Sequence, residues 1–103
     1  MSTRLEVTTS AAAPHSVTLV GELDLQTVGK FLDAVTGLNG PIEVDCTKLE
    51  FVDSTGIAAF IKTYWACQER GAQLRVRGLS GRARKPFEIA GLDVYLLHDE
   101  SAA

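Results

Sequence analysis

Apolar and polar residues alternate in two early segments of the chain, RLEVTT at residues 4–9 and SVTLVGEL at residues 16–23. Strict alternation is typical of strands that bury one face and expose the other. The turn-prone letters SAAAPH lie between the two segments. We therefore predict that the chain opens with a pair of antiparallel strands.

Two later segments place their apolar residues at the three- and four-residue spacing of a helix. In residues 24–41 these positions are Val28, Phe31, Leu32, Val35 and Leu38. Asp24 is the predicted N-cap of this helix, and the letters NGP at residues 39–41 are its predicted end. In the second segment the positions are Ile57, Phe60, Ile61 and Tyr64, and Gly71 suits the helix end.

The remaining segments complete an alternation of strands and helices. IEVDC at residues 42–46 predicts a short strand, after which an apolar run to Val52 crosses the top of the core. QLRVRG predicts a further strand, and SGRARKPFEIAGL predicts a short helix closed by Gly91, with DVYLL at residues 93–97 following it. Pro86 predicts that this helix begins near Lys85 or is kinked. Such alternation favours parallel crossovers in one α/β domain over residues 1–103, with its core at about 5–97.

Composition narrows the class of partner. A chain of 103 residues is long enough for one core, and its formal net charge of −3 provides no positive field for nucleic acid or an anionic membrane. We find no signal peptide or membrane span and expect a cytoplasmic protein. Cys46 and Cys67 lack the spacing of a metal site, so we expect buried thiols and neither metal nor cofactor.

The stretch FVDSTG at residues 51–56 places Asp53, Ser54 and Thr55 at the start of the second helix. One interpretation is an N-cap, because these side chains accept hydrogen bonds from free backbone N–H groups. The other is a phosphorylation site, because a helix N-terminus attracts phosphate and Gly56 leaves the backbone open to close approach. The sequence pattern alone leaves both interpretations open.

Three motifs together resemble a known family. GELD at residues 21–24, FVDSTG at 51–56 and FEIAGLDVYL at 87–96 are similar, in order and spacing, to the STAS domain of bacterial anti-sigma factor antagonists. The resemblance implies a mixed sheet of four to five strands with about three helices on one side. It also implies a binding module and not an enzyme. The family's usual last helix is expected to be absent or very short here.

The resemblance further implies a partner-switching function. Unphosphorylated members of the family bind an anti-sigma factor that is itself a serine kinase, and so release the sigma factor. The kinase then phosphorylates the serine after the motif's aspartate, which is Ser54 here, with Thr55 as a second candidate. A serine phosphatase reverses the modification. Asp24 matches an acidic position beside this site.

One flank of the second helix is a candidate contact surface. Ser54, Ala58, Ile61 and Trp65 are spaced by four, three and four residues, and small Ala58 and Ala59 would admit a partner. Trp65 either anchors an interface or packs under a loop. The predicted partner-binding residues are Asp24, Asp53, Gly56, Ala58, Ile61 and Trp65, in a monomer or weak dimer.

Several alternatives remain. The basic residues Arg75, Arg77, Arg82, Arg84 and Lys85 form either a solvated face or, through the loop at 78–82, a surface beside Ser54 for an acidic partner or a phosphate. A STAS subunit that docks on a transporter ATPase without phosphorylation is the first rival function. A nucleotide-binding protein or a hydrolase is the second, although the motifs GxxxxGK[ST], GxGxxG and GxSxG are absent.

Overall fold

The architecture is a four-stranded sheet with three helices, seen in a computed structural model that describes residues 4–92 and residue 96. The elements in chain order are β1 Leu5–Thr9, β2 His15–Leu23, α1 Val28–Thr36, β3 Ile42–Val52, α2 Ser54–Glu69, β4 Leu74–Arg77 and α3 Gly81–Ile89. The strand order is β1-β2-β3-β4; β1 is antiparallel to β2, and the other pairs are parallel. The predicted mixed α/β fold is confirmed. The predicted segment DVYLL lies outside the described residues except for Leu96.

The core lies between one face of the sheet and the helices. Alternate strand residues such as Val17, Val44 and Val76 are fully buried, while their neighbours along each strand are polar and partly or fully exposed. Each helix contributes a buried phenylalanine, and the Phe60 ring lies 4.8 Å from that of Phe31 and 4.9 Å from that of Phe87. Because these rings are in contact, all three helices pack on the same side of the sheet.

Strand β3 corrects the predicted short strand at residues 42–46, because it continues without interruption for 11 residues to Val52. Its second half breaks the alternation: Thr47 and Lys48 are both exposed, and so are Glu50 and Phe51. Two register shifts against β2 absorb this irregularity. At one of them Gly21 has a φ of 116°, and a Cβ there would lie 2.2 Å from the carbonyl oxygen of Arg4. The long β3 carries the chain directly to α2.

Two helix boundaries also differ from the prediction. Helix α1 begins at Val28 with Thr27 as its N-cap residue and ends at Thr36, before the NGP letters. Helix α3 begins at Gly81 and runs through Pro86, so it does not begin near Lys85. Pro86 removes one internal hydrogen bond, but its carbonyl still accepts from the Ala90 N–H at 3.1 Å, and buried Phe87 anchors the helix.

The open face of the sheet carries a charged group whose ionisation is linked to folding. The Thr47 hydroxyl donates to Asp45 Oδ1 at 2.6 Å and the Thr47 N–H at 3.0 Å. These hydrogen bonds, and to a lesser extent the charges of Arg77 and Lys48, hold the pKa of Asp45 below its ordinary value. The lowered pKa means that the Asp45 carboxylate stabilises the fold above about pH 4, and that this stabilisation is lost as pH falls through the folded-state pKa.

The substitution Asp45→Asn is therefore expected to lower the thermal midpoint at pH 7 and to have a smaller effect at pH 2, because protonation of the Asp45 carboxyl removes the charge that the hydrogen bonds from Thr47 stabilise. Thermal unfolding followed by circular dichroism at both pH values measures the difference. Glu50→Gln is the control, because Glu50 is an exposed carboxylate of the same strand. A midpoint difference between Asp45→Asn and the wild type that is equal at both pH values would contradict this role.

Candidate partner-binding site

Asp53 is the N-cap of α2 and links that helix to β2. Its backbone is extended, and Oδ1 accepts a hydrogen bond from the Gly56 N–H at 3.1 Å. Its own N–H donates to the Leu23 carbonyl at 3.2 Å, across the neighbouring strand end. Of Asp53, Ser54 and Thr55, only Asp53 is therefore an N-cap.

Ser54 occupies the first helical position and is exposed, whereas Thr55 is half-buried. The hydroxyl of Ser54 has no hydrogen-bond partner within residues 4–92. A phosphate on this hydroxyl would lie beside the unpaired N–H groups of the first turn, at the positive end of the helix dipole. Ser54 thus combines an exposed hydroxyl with an environment that tolerates an anion.

Gly56 has a different role from the predicted one, because it is buried and faces the sheet. A Cβ at this position would lie 2.9 Å from Val52 Cγ1 and 3.0 Å from Leu23 Cγ. The missing side chain allows α2 to pack closely on the ends of β2 and β3. The prediction that Gly56 contacts a partner is wrong.

Asp24 is also turned inward, with only 8% of its surface exposed. Its Oδ1 accepts from the N–H groups of Gln26 at 3.0 Å and Thr27 at 3.2 Å, and Oδ2 is paired with Arg4. Asp24 therefore caps the turn before α1, not the helix itself, and its charge is compensated by Arg4. The hydrogen bond from the Asp53 N–H to the Leu23 carbonyl brings the backbone just before Asp24 next to the start of α2. The Asp24 carboxylate itself is buried and paired, so it is not a free surface charge.

The predicted flank of α2 is only partly a surface. Ala58 and Trp65 are exposed and Ile61 is half-buried, but Ala59 is buried and faces the core. Trp65 lies eleven residues after Ser54, which is about 16 Å along a helix. The flank therefore divides into a part around Ser54 and Ala58 and a separate apolar part around Trp65.

Two exposed apolar side chains near Ser54 were missed from the sequence. Leu25 is 74% exposed in the turn after β2, and Phe51 is 40% exposed near the end of β3. Because β2 and β3 are parallel neighbours, the residues that follow their ends share one edge of the sheet with Ser54. The sequence could have identified Leu25 as exposed, because it lies in a turn and outside the helical stripe of α1. Covering this side chain with a partner would remove its apolar surface from water, so Leu25 is a candidate contact residue.

Two of the five basic residues are paired within the protein. Arg77 pairs with Asp45 at 3.3 Å, and Arg84 pairs with Glu88 at 2.9 Å. The loop after β4 lies beside the middle of β3, because a Cβ on Gly78 would meet Thr47, five positions before Val52. This placement favours the solvated-face interpretation. Within the described part of the chain, no group of histidine, cysteine and acidic side chains is arranged to hold a metal ion.

Comparison with known proteins defines the class. The family described as "Mlab, STAS domain" matches residues 7–98, and the chain belongs to this STAS domain family. The anti-sigma-B factor antagonist of Staphylococcus aureus is 31% identical over 96 residues, covering 89% of this chain and 88% of that protein. The anti-sigma-B factor antagonist of Listeria monocytogenes is 31% identical over 78 residues, covering 72% and 68%.

Solved structures show the same fold. An anti-sigma factor antagonist from Mycobacterium paratuberculosis superposes with a TM-score of 0.74 at 21% identity, covering 89% of this chain and 82% of that one. The anti-sigma factor antagonist SpoIIAA in its unphosphorylated form gives a TM-score of 0.73 at 20% identity, with coverages of 88% and 85%. The fold that the three motifs implied is thereby confirmed.

Proposed function

We propose that this protein is an anti-sigma factor antagonist controlled by phosphorylation of Ser54. The unphosphorylated form binds an anti-sigma factor that is also a serine kinase, and the sigma factor is released. The observation that carries the proposal is the exposed Ser54 hydroxyl at the first position of α2, directly after the capping Asp53. The names of the 31% identical relatives support the same function.

Exposure favours Ser54 over Thr55 as the acceptor. A kinase must bring the hydroxyl into line with the phosphate of its nucleotide, and this requires a side chain that protrudes from the surface. Ser54 meets that requirement, whereas Thr55 is half-buried at the second helical position. Thr55 is a secondary acceptor at most.

The charge of the phosphate accounts for the switch. Phosphorylation adds about −1.5 to −2 charges, and a helix N-terminus stabilises an anion by about 0.3 to 1 kcal/mol, so the fold tolerates the group. Covering that charge with a partner, beside the Asp53 carboxylate, costs on the order of several kcal/mol unless the partner supplies a cation. Binding is therefore lost while the fold persists.

The proposal includes a serine phosphatase that restores the active form, a cytoplasmic location and no catalytic role for this chain. Ser54, Ala58 and Leu25 form the contact surface that we assign to the kinase, with Asp53 as the residue that positions Ser54. Within residues 4–92, no helix is both long and apolar enough to cross a bilayer.

The partner distinguishes this function from its rival. Tagged wild-type protein and the Ser54→Ala variant, expressed in native cells, are expected to capture a protein with a histidine-kinase-like ATPase domain, whereas Ser54→Asp is not. Ser80→Asp is the matched control, because Ser80 is an exposed serine at the N-terminus of α3. Capture of a transporter ATPase, equally by all four proteins, would instead support the docking subunit without a phosphorylation switch.

Leu25→Ser is expected to weaken kinase binding by about tenfold to a hundredfold, because burying a leucine side chain contributes about 1.5 to 3 kcal/mol, and to leave stability unchanged because Leu25 is exposed in the free protein. Calorimetric titration with the identified kinase measures the affinity, and thermal unfolding checks the fold. Ile89→Ser is the control, since Ile89 is equally exposed, at 77%, but lies at the C-terminal end of α3. Equal affinities for both variants would remove Leu25 from the contact surface.

A further inference from the structure

The outer face of α2 carries an apolar anchor that the Ser54 surface does not use. We define this outer face as the exposed residues Lys62, Trp65, Ala66 and Glu69. Trp65 is 60% exposed, and its ring is held edge-to-face against Tyr64 with centroids 5.5 Å apart. Beside it lies a groove of about 220 Å³ lined by Ile61, Tyr64, Trp65 and Leu92. An exposed tryptophan next to an apolar groove is typical of an interface.

The order of residues on the outer face is self-complementary. Lys62 and Glu69 lie at equal distances along the helix from the point midway between Trp65 and Ala66. If a second copy of α2 packs antiparallel about a two-fold axis at that point, Lys62 of each copy faces Glu69 of the other. The same axis places each Trp65 over the small Ala66 of the other copy. The same two-fold axis therefore pairs opposite charges and places each large Trp65 side chain against a small Ala66.

The two charges are available for such a contact. Both side chains are exposed, and within residues 4–92 neither Lys62 nor Glu69 forms an ion pair. Exposed ion pairs contribute little affinity, but like charges at the same positions oppose one particular orientation. The aromatic contact supplies affinity and the charges select the antiparallel register.

We propose that the outer face of α2 binds a second copy of this chain, forming a two-fold symmetric dimer centred between Trp65 and Ala66. The buried patch is one face of a 16-residue helix, so the dimer belongs to the small, weak class of interfaces. The dimer leaves the exposed Ser54 hydroxyl, about 16 Å from Trp65, outside its centre. Its formation is independent of the phosphorylation proposed above.

Sedimentation equilibrium between 10 µM and 1 mM tests the dimer, with Trp65 as its internal reporter because it is the chain's single tryptophan. We expect the average mass to rise towards twice the monomer mass, with a blue shift of tryptophan emission over the same range. Trp65→Ala is expected to remain monomeric. Lys62→Glu and Glu69→Lys, each alone, are expected to weaken dimerisation about tenfold.

A charge exchange makes the test specific for this symmetry. An equimolar mixture of Lys62→Glu and Glu69→Lys proteins pairs opposite charges at both ends of the contact, so it is expected to dimerise about as well as the wild type. The double variant Lys62→Glu/Glu69→Lys should do so too. Lys48→Glu, an exposed charge reversal on β3, is the control and should leave dimerisation unchanged. A wild-type protein that stays monomeric up to 1 mM would overturn the proposal.

Two other outcomes would also overturn the proposal. One is a mixture that dimerises no better than the separate variants, because the two-fold register would then be wrong. The other is a monomeric wild type whose kinase binding is weakened by Trp65→Ala, which would assign the outer face to the kinase instead. Each of these results leaves the Ser54 proposal standing, because that proposal depends on phosphorylation and not on self-association.

Discussion

Replacing Ser54 with aspartate is expected to weaken binding to the anti-sigma kinase by at least about a hundredfold, while the thermal midpoint changes by less than about 2 °C. The substitution places a carboxylate at the first position of α2, where the helix dipole favours an anion. In the complex, the same carboxylate is buried next to Asp53 without a cation, and this costs about 3 kcal/mol or more. Calorimetric titration with the identified kinase measures the loss.

Two variants separate charge from the loss of the hydroxyl. Ser54→Ala removes the acceptor without adding charge, so it should bind within about threefold of the wild type and remain active under every growth condition. Ser80→Asp places the same charge at the start of α3 and should bind normally. If Ser54→Asp binds as tightly as Ser54→Ala, the charge at Ser54 does not control the interaction.

Gly56→Ala is expected to destabilise the protein by about 1 to 3 kcal/mol, although Gly→Ala within a helix ordinarily stabilises by up to about 1 kcal/mol. The sign reverses because the added Cβ would lie 2.9 Å from Val52 Cγ1 and 3.0 Å from Leu23 Cγ. Both side chains are buried and Val52 is stiff about χ1, so α2 must move away from the sheet. Chemical denaturation measures the free energy of unfolding.

Gly29→Ala is the matched control for this prediction. Gly29 lies in the first turn of α1, and a Cβ there would meet nothing within 4 Å. Its replacement should therefore follow ordinary helix propensity and stabilise by a few tenths of a kcal/mol. If Gly56→Ala and Gly29→Ala change the free energy of unfolding in the same direction, the tight packing at Gly56 does not constrain α2.

Local patterns predicted the elements whose burial repeats regularly. Alternation identified β1 and β2, and the stripe of Ile57, Phe60, Ile61 and Tyr64 identified α2, because each element buries one face. The prediction was wrong for β3, where exposed Phe51 follows exposed Glu50 and only pairing with β2 keeps the strand continuous. The conformation of the second half of β3 therefore depends on its pairing with β2, a strand distant in sequence.

The candidate site, too, was predicted only in part from the sequence. The position of Ser54 at a helix start followed from the DST letters and the family motif, but the roles of its neighbours depended on tertiary contacts. Leu23 and Val52 leave no room for a side chain at residue 56. The charge of Asp24 is compensated by Arg4, which lies 20 residues earlier. Leu25 became a candidate only when its turn was seen to share an edge with Ser54. The spacing of residues along the sequence does not show which of them become neighbours in the fold.

Mass spectrometry of the protein purified from its native cells tests the central claim most directly. The tryptic peptide LEFVDSTGIAAFIK, residues 49–62, contains Ser54 and Thr55 as its only hydroxyl side chains, so fragmentation assigns a phosphate to one of them. We expect one phosphate, on Ser54, whose occupancy changes with growth and stress conditions and which is absent from Ser54→Ala. An unmodified peptide under every condition would contradict the account and favour a STAS subunit that works without phosphorylation.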